Sequence, residues 1–452
     1  MLYRKIEKEI EDHLKSGSDK ILVIEGARQI GKSYIIREVG KRLFENYIEL
    51  NFVQDDSGDK LYKNIRTKDD FYLTLSMQHG ERLGNYDNTL IFLDEIQQYP
   101  QYLTWLKFLR EDHRFHFVAS GSLLGITLKE TASIPIGSAI IKQMMQLDFE
   151  EFAIANGMGH DVIDVFHKKY QDKESLTEQQ HNYMLSLFQR YLLVGGMPDA
   201  VNEYLDSHNI VKVREIQDSI HSFYADDASK YERDNNRKLL IRHIYEMVPS
   251  QMENKKKRIV VKDIQNKEND RFSRYNEEFE YLIYSGITVS VHAISNPHYP
   301  LTESVQKNLL KLYLNDVGML TSQLYHYNIR PVMEDVRSIN LGSVYESVVA
   351  QELKAHGQQS FYYDNRKNGE VDFLIDDYDS LSILPIEVKS GKDYTVHSAL
   401  DNLMKVPDYH IKRGIVLSNE REVWEKDGIV YMPVYFVMFI GKKEISDTQV
   451  YF

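Results

Sequence analysis

The octapeptide Gly26-Ala27-Arg28-Gln29-Ile30-Gly31-Lys32-Ser33 constrains this chain more than any other feature. It has the pattern G-x-x-x-x-G-K-[ST], follows the apolar run Ile21-Leu22-Val23-Ile24, and opens into the helix-like Tyr34-Ile35-Ile36-Arg37-Glu38-Val39. Strand, loop and helix in that order predict an α/β unit whose loop amides cradle phosphate. Gly26 and Gly31 remove side chains where the backbone must approach an anion, and the helix N-terminus adds a favourable dipole. Lys32 is placed to reach the β- and γ-phosphates, and Ser33 to ligate Mg²⁺. Ala27, Gln29 and Ile30 complete the cradle, while Arg28 either touches phosphate or is solvated. The expectation is a bound nucleoside triphosphate, ATP, with Mg²⁺.

Downstream, Thr89-Leu90-Ile91-Phe92-Leu93-Asp94-Glu95 is a continuous apolar run ending in two carboxylates. Such a run reads as a strand buried on both faces of a parallel sheet. Asp94 at its end would hold Mg²⁺ through water beside Ser33, and Glu95 is the candidate for polarising the attacking water. A third strand is expected over Phe115-His116-Phe117-Val118-Ala119-Ser120-Gly121-Ser122. Either Ser120 or Ser122 at its end fits a γ-phosphate contact. Arg110, Arg114, Arg190 and Arg233 are all eligible as an arginine finger, and the sequence does not choose among them.

A chain of 452 residues exceeds one hydrophobic core and predicts about three domains. It contains no cysteine, which excludes disulfides and thiolate metal sites. The longest apolar stretch, Val434 to Ile440, is far short of the ~20 residues a membrane-spanning helix needs, so no membrane partner and a cytoplasmic location are expected. A net charge of −13 argues against a protein that is basic all over, yet leaves room for a local basic surface.

Residues 155 to 235 are helical in period and broken at Gly195-Gly196, ahead of Pro198. Beyond them, helix-like stretches (Lys238 to Met247, Tyr275 to Ser285) precede short strand-like runs ending near Leu320. Helix, helix and hairpin outline a winged helix, with the basic run Lys255-Lys256-Lys257-Arg258 between the helices. That arrangement serves either DNA phosphates or protein contact. Further on stand Glu346 in Gly342-Ser343-Val344-Tyr345-Glu346, then Glu370-Val371-Asp372-Phe373-Leu374-Ile375, then Pro385-Ile386-Glu387-Val388-Lys389. The last two read as strands joined by a turn over Asp376 to Ser382. Positions i and i+2 share a strand face, so Glu387 and Lys389 project together and Asp372 can meet them. Clustered carboxylates bind Mg²⁺ or Mn²⁺, and a lysine beside them orients or deprotonates water, as metal-assisted phosphodiester hydrolysis requires. A binding platform and a structural ion-pair cluster remain open as alternatives.

The phosphate loop, Phe92-Leu93-Asp94-Glu95-Ile96-Gln97 and Ser120-Gly121-Ser122 resemble the AAA-type ATPases of bacteria and archaea. Gln146-Leu147-Asp148-Phe149-Glu150-Glu151-Phe152 and Tyr191-Leu192-Leu193-Val194-Gly195-Gly196-Met197-Pro198 resemble two signatures of one subgroup, in which an AAA-type module is joined to a C-terminal domain of uncharacterised function. Lys311-Leu312-Tyr313 and Asp316-Val317-Gly318 fit that subgroup too. The resemblance implies Gly26, Gly31, Lys32, Ser33, Asp94 and Glu95 as the nucleotide site. Ala119-Ser120 departs from the usual apolar residue and threonine. The arrangement E…D…E-x-K resembles the PD-(D/E)xK restriction-endonuclease-like superfamily, which implies Asp372, Glu387 and Lys389 as a central triad and Glu346 as an accessory ligand.

The expected fold is therefore α/β: a P-loop NTPase core (1–155), a helical lid (156–235), a winged-helix-like segment (236–325) and a restriction-endonuclease-like domain (326–452). The expected activity is Mg²⁺-dependent ATP hydrolysis controlling a DNA-directed, nucleolytic C-terminal domain, in a monomer or homo-oligomer. The rival is a nucleotide-gated switch whose nuclease-like domain only binds a partner. A chaperone-like remodeller is weaker, because no clear pore-loop aromatic motif is present.

Overall fold

The computed structural model describes residues 2–122, 137–227, 234–254, 257–265, 271–334, 341–391 and 393–441. Arg233 and the first two lysines of the basic run, Lys255 and Lys256, lie outside the described residues. The chain forms two compact units, one of residues 1–145 with 281–287, the other of 146–280 with 288–452. This division falls ten residues before the expected end of the core at 155, because Gln146-Leu147-Asp148 bonds within the second unit: Leu147 N–H donates to Gly196 O at 2.8 Å, and the Gln146 amide to the Asn315 carbonyl.

The first unit is built on a five-stranded parallel sheet in the order β2-β3-β4-β1-β5. Its strands are β1 (Ile21–Glu25), β2 (Asn46–Asn51), β3 (Thr89–Asp94), β4 (His116–Gly121) and β5 (Ala139–Gln143). Every residue of β3 is buried, as its unbroken apolar run requires for a strand covered on both faces. One face carries a core of Ile21, Val23, Ile48, Leu50, Ile91 and Leu93, packed against Phe52, Phe71 and Tyr102 from the connecting helices. Parallel register aligns Asn51 with Asp94 and Glu25 with Gly121, so the carboxyl ends of four strands form one rim. Ligands of open α/β sheets bind at such a rim.

In the second unit, helices His160–Gln171, Glu178–Val194, Pro198–Ser207 and Ile210–Asp227 occupy the stretch expected to be helical, and the break falls at Gly195-Gly196. Its sheet has eight strands in the order β12-β13-β11-β10-β9-β8-β6-β7. They are β6 (Thr288–Ile294), β7 (Gln306–Leu314), β8 (Phe361–Asn365), β9 (Gly369–Asp377), β10 (Ser382–Val388), β11 (Gly414–Ser418), β12 (Trp424–Lys426) and β13 (Ile429–Pro433). The expected wing corresponds to the antiparallel pair β6–β7, but β6 also pairs in parallel with β8. One sheet therefore crosses the expected boundary at 325. The physical reason is burial on both faces: Leu310, Lys311, Leu312, Tyr313 and Leu314 are all buried, which an exposed wing does not allow. The strand-like text near Leu320 is instead the helix Val317–Tyr325.

Two sequence signatures meet here. Asp316 caps the Val317–Tyr325 helix through Met319 N–H (3.0 Å), and its other oxygen accepts Gly196 N–H at 2.6 Å. Gly195 has φ +71°, and a Cβ on it would stand 2.1 Å from Asp316 Oδ1. Burial lifts the Asp316 carboxyl to about 6, against the three backbone N–H bonds that lower it. The folded protein therefore holds this proton through a range where the unfolded chain has lost it, so the group stabilises at low pH and loses that contribution as pH rises through 6. Relative to Asp316→Asn, wild-type stability from urea unfolding should rise by about 2 kcal/mol between pH 7 and pH 4. Parallel profiles for the two proteins would show that Asp316 is not the buried proton holder.

Candidate functional site

The helix Lys32–Leu43 begins directly at the phosphate loop. Its N-cap is Gly31 at φ +91°, which supplies no side-chain acceptor, so the first-turn amides are presented to the loop. Gly26 is small for a different reason than expected: a Cβ there would meet the Met144 carbonyl oxygen at 2.3 Å and Ile30 Cδ1 at 2.6 Å, within the protein. Ala27 and Ile30 are buried, Arg28 is half-buried and Gln29 exposed. Lys32, only 5% exposed, donates to the carbonyls of Gly26 (3.0 Å) and Ala27 (2.7 Å). Burial pulls the Lys32 ammonium below its usual range, against Glu95 and Asp94, which favour its charge.

Asp94 is where the rim converges. Its Oδ1 accepts the Ser33 hydroxyl at 2.8 Å and the Ser120 hydroxyl, and its Oδ2 accepts Asn51 Nδ2 at 2.8 Å. Burial raises the Asp94 carboxyl, partly offset by the Ser120 bond. Ser120 therefore touches Asp94, whereas Ser122 bonds Gln97, with Gln97 Nε2 donating to Ser122 Oγ at 3.1 Å. Glu95 sits in the left-handed region at φ +55°, and its carboxylate is held by the Gln97 amide. A non-glycine residue there carries roughly 1 kcal/mol of strain and is worth a functional question. Ser33 and Asp94 present the hard oxygen donors that Mg²⁺ takes. Sequence reasoning missed Asn51 and Gln97. A polar residue closing the alternating strand Asn46–Asn51 was the available signal for the first.

The eligible arginines have local duties. Arg110 donates to Gly137 O at 3.0 Å and pairs with Asp19 at 3.2 Å, beside the entrance to β5 and away from the phosphate-loop rim. Arg114 lies 4.5 Å over the Tyr72 ring, and Arg190 bonds Ser186 at 3.2 Å.

In the second unit, β9 and β10 pair antiparallel with Phe373 opposite Ile386, which sets Asp372 beside Glu387 one step on. Val388 N–H donates to Asp372 Oδ2 at 2.8 Å, and Lys389 Nζ to Glu387 Oε1 at 2.7 Å. Glu387 is 6% exposed, and its Oε2 is buried with no hydrogen-bond partner. Glu346, on the buried helix Gly342–Ala355, faces the same cluster. The structure thus brings all four expected residues together and adds others. Lys311 of β7 reaches Glu346 at 3.4 Å and Glu370 at 2.8 Å, Tyr313 OH donates to Glu346 Oε2 at 3.3 Å, and Lys257 pairs with Glu346. Lys311-Leu312-Tyr313 was a visible signal whose chemistry the sequence withheld. Burial, with Glu346 and Glu387 nearby, lifts the Asp372 carboxyl well above the usual range. Burial opposes ionisation of Glu346 too, but Lys311 and Lys257 outweigh it and hold Glu346 below the usual range. Burial likewise opposes the Lys389 charge, yet Glu387, Asp372 and Glu346 raise it overall, which favours the ammonium form. The orphaned Glu387 oxygen beside Asp372 fits a hard divalent cation, which takes carboxylate oxygens.

A separate group, Asp148, Glu352 and His356, has ligand-type atoms within 4.8 Å of one another. Its carboxylates serve the Phe149–Ala155 helix: Asp148 caps it, and Glu352 Oε1 accepts Phe149 N–H at 2.9 Å and Tyr191 OH at 3.1 Å.

Three family models match the chain: an AAA domain over residues 18–153, and domains of unknown function, DUF8612 and DUF4143, over 185–326 and 341–437. No protein of curated function matches the sequence. Among solved structures, the Walker-type ATPase PABY2304 of Pyrococcus abyssi is similar at 12% identity, covering 71% of this chain and 95% of its own, with a TM-score of 0.43. The ORC1 protein of Aeropyrum pernix in complex with DNA is similar at 13% identity, 72% and 94% coverage, and a TM-score of 0.33. The Thermotoga maritima RuvB Holliday junction branch migration motor is similar at 12%, 64% and 89%, with 0.29. Likenesses this shallow carry no functional argument. The domain match, the parallel sheet and the phosphate loop make residues 18–153 an AAA-type P-loop ATPase domain. Among the described residues, no helix is long and apolar enough to cross a membrane.

Proposed function

We propose that the protein hydrolyses ATP with Mg²⁺ and that its nucleotide state controls a DNA-directed, metal-dependent nuclease site in the second unit. Ser33, Asp94 and Ser120 hold the metal side of the nucleotide, Lys32 binds the β- and γ-phosphates, and Glu95 leaves Gln97 to take up the attacking water. A homo-oligomer in which an arginine of a neighbouring copy reaches the phosphates belongs to this reading.

The observation that carries the nuclease half is Glu387 Oε2, a buried carboxylate oxygen without a partner beside Asp372. Mg²⁺ or Mn²⁺ there would polarise a phosphodiester oxygen and acidify a bound water. Asp372, Glu387 and Glu346 would hold the ion, and Lys389 would orient the water by its charge. The likeness in residue order to PD-(D/E)xK enzymes agrees with this assignment. A second reading, a nucleotide-gated switch with a non-cleaving domain, is favoured by the ammonium groups of Lys257 and Lys311 on Glu346.

Full-length protein incubated with ATP, Mg²⁺ or Mn²⁺ and duplex DNA, single-stranded DNA or RNA separates the two. The expected result is cleavage that falls by about 10²-fold or more in both Asp372→Asn and Lys389→Ala, the size typical of losing one preorganised electrostatic group. A wild-type protein that cuts none of these substrates sinks the nuclease and leaves the switch.

A further inference from the structure

The basic run set between the two expected helices sends its described members into carboxylates. Lys257 pairs with Glu346, and Arg258 with Asp364 at 3.1 Å. Glu346 thus carries two ammonium groups of different character. Lys311 is 1% exposed, sits on a strand between Glu346 and Glu370, and lies 4.7 Å over the Tyr362 ring. Nothing short of unfolding β7 removes it. Lys257 belongs to the loop between helices Asn235–Met252 and Val261–Gln265 and its side chain is 16% exposed. Its backbone has φ +46°, a region lysine rarely adopts.

Four carboxylates (Glu346, Glu370, Asp372, Glu387) are met here by three lysines (Lys257, Lys311, Lys389). A divalent cation added to that set would leave an excess of positive charge. An ammonium on Glu346 also takes the oxygen that the ion would use. Of the two lysines on Glu346, only Lys257 stands outside a strand and reaches solvent; Lys389, 27% exposed just past β10, holds Glu387 instead.

We infer that Lys257 is a tethered competitor for the divalent cation at Glu346, Asp372 and Glu387, so that the site takes up metal only when the Lys257 side chain withdraws. This rests on the metal-site reading above and adds its regulation. The occupant it excludes is a hard divalent ion, Mg²⁺ or Mn²⁺, which needs the same carboxylate oxygens.

The test is Mn²⁺ binding to nucleotide-free full-length protein, read by the electron paramagnetic resonance of free Mn²⁺. Asp372→Asn identifies which binding belongs to this site. Lys257→Met is expected to tighten that binding about tenfold or more, Lys257→Gln to do the same, and Lys257→Arg, which keeps the charge, to stay within about twofold of wild type. Mn²⁺ binding that Asp372→Asn removes, but that is unchanged or weaker in Lys257→Met and Lys257→Gln, overturns the competition and leaves the metal site standing. If neither wild type nor the Lys257 variants bind Mn²⁺ in a way that Asp372→Asn removes, both the competition and the metal site are overturned.

Discussion

Lys32→Ala should reduce ATP turnover by about 10²–10³-fold, the range seen when one charged or hydrogen-bonding group is removed from a preorganised anion site. The ammonium is held 5% exposed against the Gly26 and Ala27 carbonyls, so it is already fixed beside the loop that would receive the phosphates. Burial disfavours its charge, and a phosphate would relieve that cost by supplying the opposite charge. ATP should therefore raise the wild-type melting temperature, because a ligand at about 100 times its Kd stabilises by about 2.7 kcal/mol. The variant should lose that shift while its ligand-free melting stays near wild type. Steady-state phosphate release and thermal shift check both halves. Turnover that survives in Lys32→Ala would remove this loop from the reaction.

The second large effect is structural. Arg214, fully buried on the Ile210–Asp227 helix, donates to His326 O (2.9 Å), Leu193 O (3.1 Å) and Gly318 O (3.0 Å), and to Gln217 and Thr321. It thereby ties the end of the Glu178–Val194 helix, next to Gly195-Gly196, to the Val317–Tyr325 helix capped by Asp316. Arg214→Met keeps much of the volume but removes five charge-assisted hydrogen bonds, although Leu193 O keeps the Gln217 amide (2.9 Å) and Gly318 O the Thr321 hydroxyl (3.1 Å). Losing buried hydrogen bonds to a charged group costs about 1.5–3 kcal/mol each, and the partners that remain hold the total to about 3–5 kcal/mol. For a unit of this size that lowers melting by on the order of 10 °C. Circular dichroism melts of the full chain give the answer, and a change under about 2 °C would mean the carbonyls find water instead.

The nucleotide site was readable because its parts are local. A loop between an apolar strand and a helix, and a carboxylate pair at the end of a second apolar strand, announce themselves within a dozen residues each. Asn51 was not readable, since only parallel register with β3 brings it to Asp94. Arg214 offered no pattern at all; a lone arginine in an amphipathic helix looks solvated until the carbonyls around it are in place. The carboxylate order Glu346, Asp372, Glu387 was visible on helix and hairpin. The lysines that balance it were not, because Lys257 and Lys311 come from segments whose text suggested a loop and a wing. A hairpin embedded at the edge of a large sheet and a free wing have the same local grammar. Only two-sided burial separates them, and in β7 it falls on Lys311 and Tyr313, a lysine and a tyrosine whose polarity hides it.

The pairing of β6 with β8 also bears on how such a chain can be rearranged by recombination. A crossover placed between the hairpin and the Gly342–Ala355 helix would give the recipient a sheet lacking two strands and a carboxylate cluster lacking Lys311. It would also leave the donor's remnant with an unpaired hairpin. Unpaired strand edges invite aggregation. A fragment that is to keep the whole sheet and Lys311 with the carboxylates must therefore begin upstream of Thr288.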